Sequence, residues 1–257
     1  MKGAPLRFHA APELLSGAGE RLAMPREHVV EVWGWELDED GGLAESALPA
    51  LAPDERVRMA RFTQPRDRTR FAVAHAVMRT LLARYVGGTP SAIPIAQARG
   101  CRPALSTGTL EFNLTHSAGR ALLAVATAPV GIDLECEGLT LDPLAVAERY
   151  FHGEERAAIR GADAGARNGV FLRHWVAKEA VVKGQGDGLD LPLTAFTVRP
   201  DRDGGTARVT SHDLARLHGD WRVEYLRLDA GWHAAVAMRG SDWSVQPRDA
   251  GVSHLPA

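Results

Sequence analysis

The sequence is short of cysteine, lysine, net charge and long apolar runs, and each shortage excludes something. Two cysteines, Cys101 and Cys136, among 257 residues make neither a disulfide framework nor zinc-ligand spacing, which leads us to expect a reducing, cytoplasmic setting. No apolar run reaches 18 residues, and the first twenty lack the compact apolar stretch of a signal peptide, so no membrane partner is expected. With 30 basic and 32 acidic residues the net charge is −2, which by itself points neither toward nor away from nucleic acid. Of the 30 basic residues 27 are Arg; the lysines are Lys2, Lys178 and Lys183. Lys is a compact, movable point charge where Arg is a wide planar fork, so two lysines five positions apart in an arginine-dominated chain mark 178–183 for attention.

What is present is a soluble globular composition, 45% hydrophobic and 24% charged, long enough for one large domain or two small ones. Strands are expected at 28–37, 111–117, 121–127, 130–135 and 194–200, with a turn at 38–42 and a closing hairpin over 221–238. Helices are expected at 53–62, 66–87, 143–160 and 169–184, with loops at 90–103 and 162–169 and a Gly-rich exit at 184–189. The order repeats. "VEVWGW" (30–35) lies over "VGIDLE" (130–135) at an offset of 100, as Glu55 does over Glu155, and 71–79 lies over 175–183 at an offset of 104. This predicts an α+β pseudo-dimer: a poorly ordered lead-in (1–27), a first half (28–127), a second half (128–239) and a fraying tail (240–257). In the first half, Trp33 and Trp35 hold the places of Asp133 and Glu135.

Those two acids are the first chemical signal. Period-2 alternation sends Val130, Ile132 and Leu134 to one face and Gly131, Asp133 and Glu135 to the other, so the carboxylates lie about 6–7 Å apart at the backbone. One explanation is an acidic outer strand face; the other is a shared site for a hard divalent cation such as Mg²⁺. In "FLRHWVAKEAVVKG" (171–184) the stripe Phe171, Trp175, Val182 is expected to face the core, flanked by Glu179 and Lys183 on one side and Lys178 on the other. A solvated Glu–Lys pair at i,i+4 is worth only about 0.3–0.5 kcal/mol. Beside a buried stripe, Glu179 instead fits as a third metal acid, with both lysines for phosphate oxygens. His116, between Thr115 and Ser117, is either a satisfied structural histidine or a phosphate donor; no G-x-S-x-G elbow accompanies it. Residues 54–84 carry eight arginines against three acids, a basic face suited to an anion or an acidic partner. It lacks the interleaved aromatics of a nucleic-acid module, so no nucleic-acid partner is expected.

Taken in order, "FNLTHS", "GIDLE" and "FLRHWVAKEAVVKGQGDGL" resemble the Sfp-type 4′-phosphopantetheinyl transferases, whose pattern is an N-[IL]-[ST]-H-S stretch, a G-x-D-x-E strand and a W-x-x-K-E-x-x-x-K helix. The match runs from about residue 51 to 198. The resemblance implies a pseudo-dimer of α+β halves and transfer of the phosphopantetheine arm of coenzyme A to a serine of an acyl or peptidyl carrier protein, with Mg²⁺. It implies Asp133, Glu135 and Glu179 as metal-binding acids and Glu179 as base for the acceptor serine. Lys183 and Lys178 would steady phosphates, and Arg70, Arg102, Thr115 and His116 would contact coenzyme A. The family often has Lys where Arg102 stands. A monomer is expected. Two rival classes are a Mg²⁺-dependent hydrolase of a nucleotide pyrophosphate such as coenzyme A, and a non-catalytic coenzyme A or carrier-protein binding module.

Overall fold

Alternating apolar runs become strands and 3.6-periodic runs become helices in the computed structural model, which describes residues 5–16, 21–38, 42–96, 102–108, 110–138, 142–186 and 190–249. Cys101, most of the turn at 38–42, the last residues of the Gly-rich exit (187–189) and the outer ends of the lead-in and tail lie outside the described residues. The first part contains α1 (Ala11–Ser16), β1 (Val29–Glu36), α2 (Leu43–Ala47), α3 (Pro53–Ala60) and α4 (Pro65–Val86), then the short pair β2 (Ile95–Ala96) and β3 (Ala104–Leu105), then β4 (Glu111–Ser117) and β5 (Arg120–Ala126). The second contains β6 (Val130–Cys136), α5 (Pro143–Tyr150), α6 (Gly153–Gly161), α7 (Arg167–Gln185), β7 (Phe196–Pro200), β8 (Thr206–Ser211), β9 (Trp221–Tyr225) and β10 (Trp232–Arg239), with β11 (Ser244–Pro247) after it.

One sheet has the order β11-β1-β5-β4 and the other β6-β10-β9-β8-β7. Within them β1-β5-β4 and β6-β10-β9 follow the same pairing scheme, each antiparallel throughout, as the repeat leads one to expect. Alternation decides the layers. Val30 and Val32 of β1 join Val130, Ile132 and Leu134 of β6 in a core shared by the two sheets. Trp33 and Trp35 face the other way, into a core built on α4. Facing α7, the acids of β6 take the place of those tryptophans. Helix α7 lies unusually close to β6: a Cβ on Gly131 would fall 1.9 Å from the Ala180 carbonyl oxygen, and one on Gly184 would fall 2.7 Å from the Trp221 ring. Only glycine at both contacts lets the C-terminal end of the helix reach the strand.

Three expectations need correction. The described parts of the lead-in and tail are built into the first half. Leu6 and Leu14 are buried, His9 bridges Trp35, and β11 runs parallel to β1, with Val30 opposite Val245. Apolar residues at alternate positions have a sheet edge to cover there, which local composition does not reveal. The helix expected at 143–160 is two helices, broken where Phe151 is extended and His152 donates its N–H to Glu155 Oε2 at 3.0 Å. Strand β8 and helices α1 and α2 were not anticipated. Among the described residues, no helix is long and apolar enough to cross a membrane.

Candidate active site

The edge strand β4 of the first sheet lies beside β6 of the second, and its polar residues join the two. The Asn113 side-chain oxygen accepts the Ile132 N–H at 2.9 Å, Thr115 donates to Asp133 Oδ1 at 3.2 Å, and Ser117 donates to Glu135 Oε2 at 2.7 Å. From α7, Lys183 Nζ donates to the same Asp133 Oδ1 at 2.5 Å and to Thr115 at 3.2 Å. Asp133 is buried, and its Oδ2 has no hydrogen-bond partner among the described residues. A buried carboxylate oxygen left unpaired is costly unless something cationic completes it.

Phe171 and Val182 are buried as the expected stripe requires, and Trp175 lies at its edge. Trp175, Glu179 and Lys183 form a half-exposed stripe on an otherwise largely buried helix, and this stripe looks onto β6. Trp175 does both: its ring packs against Phe151 and Phe171 on the core side, and it helps hold Glu135 through a hydrogen bond. Burial raises the pKa of Asp133 despite Lys183, and burial with the Asp133 charge raises that of Glu135. Glu179 is pushed up to about 7 by burial and then by Asp133 and Glu135. Three carboxylates that resist ionisation, Asp133 through burial and the other two through burial and their acidic neighbours, form a site short of positive charge. Among the described residues no three acid, His or Cys side chains are drawn together at metal-ligand distance; Lys183 occupies the Asp133 oxygen in the geometry seen. The donor set still fits a hard cation: oxygen ligands only, one of them buried and unpaired.

A cavity of about 540 Å³ opens between the halves, with Glu179, Lys183, His116 and Arg102 in its wall together with Glu55, Arg58 and His75. His116 faces this space, and the cavity walls, with the charges of His75, Lys183 and Arg70, hold its pKa below the ordinary value. Arg102 is paired with Glu111 at 2.6 Å. Arg70 is turned to Asp38, its Nε 2.6 Å from Oδ1, near His116 but outside the cavity wall.

Lys178 is not brought to the site. It is fully buried on the far side of α7, with Nζ 2.9 Å from Glu155 and 2.8 and 2.6 Å from the carbonyls of Leu193 and Phe196. It also lies over the Phe196 ring at 4.2 Å. Burial pushes its pKa down to about 8 against the pull of Glu155. One residue from Glu179 is 100° around a helix, enough to exchange a cavity for a core. Sequence reasoning overlooked Asn113, Ser117, Glu55 and His75. The alternation of β4 places Asn113 and Ser117 on the same face as Thr115 and was available as a signal; the Glu55–His75 pairing had none.

Comparison with known proteins adds an independent line. Residues 129–237 match the pattern of the 4'-phosphopantetheinyl transferase superfamily. Over 226 residues the chain is 33% identical to 4'-phosphopantetheinyl transferase HetI of Nostoc sp., covering 85% of this chain and 90% of that protein. It is 26% identical over 201 residues to 4'-phosphopantetheinyl transferase Sfp of Bacillus subtilis, covering 77% and 87%. It is 29% identical over 197 residues to the transferase psf-1 of Bacillus pumilus, covering 76% and 82%.

Proposed function

The chain belongs to the 4'-phosphopantetheinyl transferase superfamily, and we propose that it transfers the phosphopantetheine arm of coenzyme A to a serine of an acyl or peptidyl carrier protein with Mg²⁺ as cofactor. The observation that carries the reading is Glu179 and Lys183 in the cavity wall, with Lys183 bonded to Asp133 on β6 and Asp133 Oδ2 buried and unpaired among the described residues. Asp133, Glu135 and Glu179 are the residues that would hold the ion, which when bound neutralises charge on the anhydride phosphates.

The remaining steps fall to side chains. Lys183, half-exposed between Asp133 and the cavity, swings its ammonium to a phosphate oxygen. His116 and Arg102 hold the donor along the wall, with Thr115 fixing Asp133 and Lys183 and Arg70 reinforcing the positive field. A carboxylate oxygen of Glu179 accepts the proton of the acceptor serine. The serine Oγ then bonds to the phosphorus bearing the pantetheine, and the bond to the bridging oxygen breaks. The 3′,5′-adenosine bisphosphate leaves with the electron pair. The setting proposed is the reducing cytoplasm, with the chain a monomer.

Mass spectrometry of the purified chain incubated with coenzyme A, Mg²⁺ and an apo-carrier protein tests this. One phosphopantetheine arm gained by the carrier, and lost when Mg²⁺ is chelated, is the expected result. Coenzyme A cleaved without a carrier would establish a hydrolase; binding with no chemistry would leave a binding module.

A further inference from the structure

The layer between the two sheets is apolar where Leu122 and Ala124 of β5 meet Ile132 and Leu134 of β6, and it ends on a cation. Arg120, the first residue of β5, has 18% of its side chain open. Strand alternation puts it on the face of Leu122 and Ala124, so its guanidinium closes that layer from the end. Cζ lies over two rings there, 4.2 Å from the centroid of Phe8 and 4.8 Å from that of Trp232. Phe8 belongs to the lead-in, and Trp232 begins β10 of the second sheet. Two carboxylates complete the contact: Glu36 of β1 is 3.0 Å from Nε, and Asp229, just before β10, is 3.1 Å from Nη1. A flat guanidinium can lie on rings and pair with acids at its rim together, which a compact ammonium does not.

Register ties this contact to the acids. Arg120 stands opposite Ser117 across β5 and β4, and Trp232 stands opposite Cys136 across β10 and β6. Ser117 donates to Glu135 at 2.7 Å, and Glu135 immediately precedes Cys136. The strand ends that carry the donor and the acceptor of that hydrogen bond are therefore the two that Arg120 holds together. Farther back along β4, Asn113 bonds the Ile132 N–H and Thr115 bonds Asp133. Past Ser117 the chain turns at Ala118, whose φ is 46°, and the seam between β4 and β6 ends. Glu135 has two side-chain donors, Ser117 from the first half and Trp175 from its own, so its carboxylate loses the first of them if the seam opens at that end.

We infer that Arg120 is a positioning residue for the acid cluster: by clamping the ends of β4 and β6 it keeps Ser117 on Glu135, and so keeps that carboxylate in the arrangement it shares with Asp133 and Glu179. This rests on the transferase reading, which takes the three acids as ligands of a hard cation. Arg120 is not in the cavity wall; it acts through Ser117. A carboxylate held in place before the ion arrives binds it more tightly than one that must be ordered on binding.

The test is a titration of Mn²⁺, a paramagnetic ion that shares the preference for oxygen ligands, into the full chain with coenzyme A and no carrier. Electron paramagnetic resonance counts the free ion, and the transfer assay with Mg²⁺ runs beside it. Ser117→Ala should weaken Mn²⁺ binding about tenfold and Arg120→Leu about fivefold, near the low end for groups that stand behind a metal ligand. Because Arg120 acts through Ser117, the double variant should lose about tenfold, no more than Ser117→Ala alone, where independent effects would multiply to about fiftyfold. In the transfer assay the Mg²⁺ requirement should rise while the KM for coenzyme A stays unchanged. Arg120→Lys keeps a cation beside Glu36 without the flat fork, and carries the same cycle if Arg120→Leu does not fold. Unchanged Mn²⁺ binding in a folded Arg120 variant, or losses that multiply, would overturn the inference while a transferring wild type keeps the transferase reading. A wild type that neither binds Mn²⁺ nor transfers the arm would overturn both.

Discussion

Glu55 and Glu155 stand at the same place in the two halves and are put to different ends. Each is buried, and each accepts a backbone N–H at the start of its helix, from Ala52 at 3.1 Å and from His152 at 3.0 Å. Each also receives a cation from the long helix of its half, Arg79 at 2.5 Å and Lys178 at 2.9 Å. Glu55 has His75 as a second partner and stands in the cavity wall. Glu155 bonds the Val198 N–H at 2.7 Å and is sealed in with Lys178. The same ion-pair geometry thus supports a binding surface in one half and a core in the other. What differs is which face of the helix meets the cavity.

The strands differ more sharply, and the largest expected effect lies there. Trp33 fills the space behind β1, its Nε1 2.9 Å from Tyr85 Oη, whereas Asp133 leaves an unpaired oxygen behind β6. Asp133→Asn should lower turnover roughly 10²–10³-fold, the scale of removing one electrostatic stabiliser from a site, with thermal unfolding little changed. Turnover measured against Mg²⁺ concentration checks it; wild-type activity and metal dependence in the variant would mean that the acids are only an acidic strand face.

Next comes Lys178, where activity and stability should separate. Lys178→Met leaves Glu155 buried without its cation, which costs about 3–5 kcal/mol, while the KM for coenzyme A stays unchanged. Glu155→Gln added to it should recover part of the loss, because it removes the uncompensated charge while its one amide oxygen still accepts from either the His152 or the Val198 N–H. Denaturant unfolding measures the first effect and steady-state kinetics the second. A raised KM with undiminished stability would return Lys178 to the phosphates.

These outcomes bear on what was legible in the sequence. Two periodicities placed Asp133, Glu135 and Glu179 on converging faces, because alternation and helical spacing are local rules obeyed wherever a core forms. The same rules misplaced Lys178, since a helix buried on nearly all sides has no single apolar stripe to orient it. Alternation put Asn113 and Ser117 on the face of Thr115, but their partners on β6 come from the docking of the halves, and the Glu55–His75 pair depends on how α3 packs against α4, which no short window encodes. The joining of β11 to β1 is likewise a contact across more than two hundred positions, with Val29 opposite Ser244.

A smaller effect concerns pH and the second core alone. His174 is buried against Phe151, and burial, with the charges of Lys178 and Arg173, pushes its pKa down to about 4 from 6.5. Between those values the unfolded chain binds the proton and the folded chain does not. The contribution is therefore complete above about 6.5 and is lost as pH falls toward 4, in all about 3 kcal/mol. His174→Phe should flatten that part of the stability–pH curve, measured by urea unfolding; an unchanged slope would place the acid sensitivity elsewhere.

The smallest expected effect lies on the basic face of the first half, which the second half lacks. Asp38 holds two guanidiniums, that of the mostly buried Arg70 and that of Arg66, whose side chain is 69% exposed and 2.5 Å away. The Arg70 hydrogen bond, with that of Arg66, holds the Asp38 carboxyl well below the usual range. Arg68 donates to the Phe62 carbonyl at 2.9 Å and is also exposed. If this face steers an acidic carrier protein, Arg66→Ala or Arg68→Ala should raise the KM for the carrier about two- to fivefold at low salt and leave that for coenzyme A alone. The difference should shrink as the screening length falls to about 10 Å near 0.1 M salt. Asp38→Asn sharpens the test because it removes a negative charge from the same spot: its effect on the carrier KM should have the opposite sign. Transfer kinetics at several salt concentrations, varying each substrate in turn, measure all three. If the arginine and aspartate variants change the carrier KM in the same direction, the effect comes from disturbing the Asp38 contacts, and the basic face is a solvated surface.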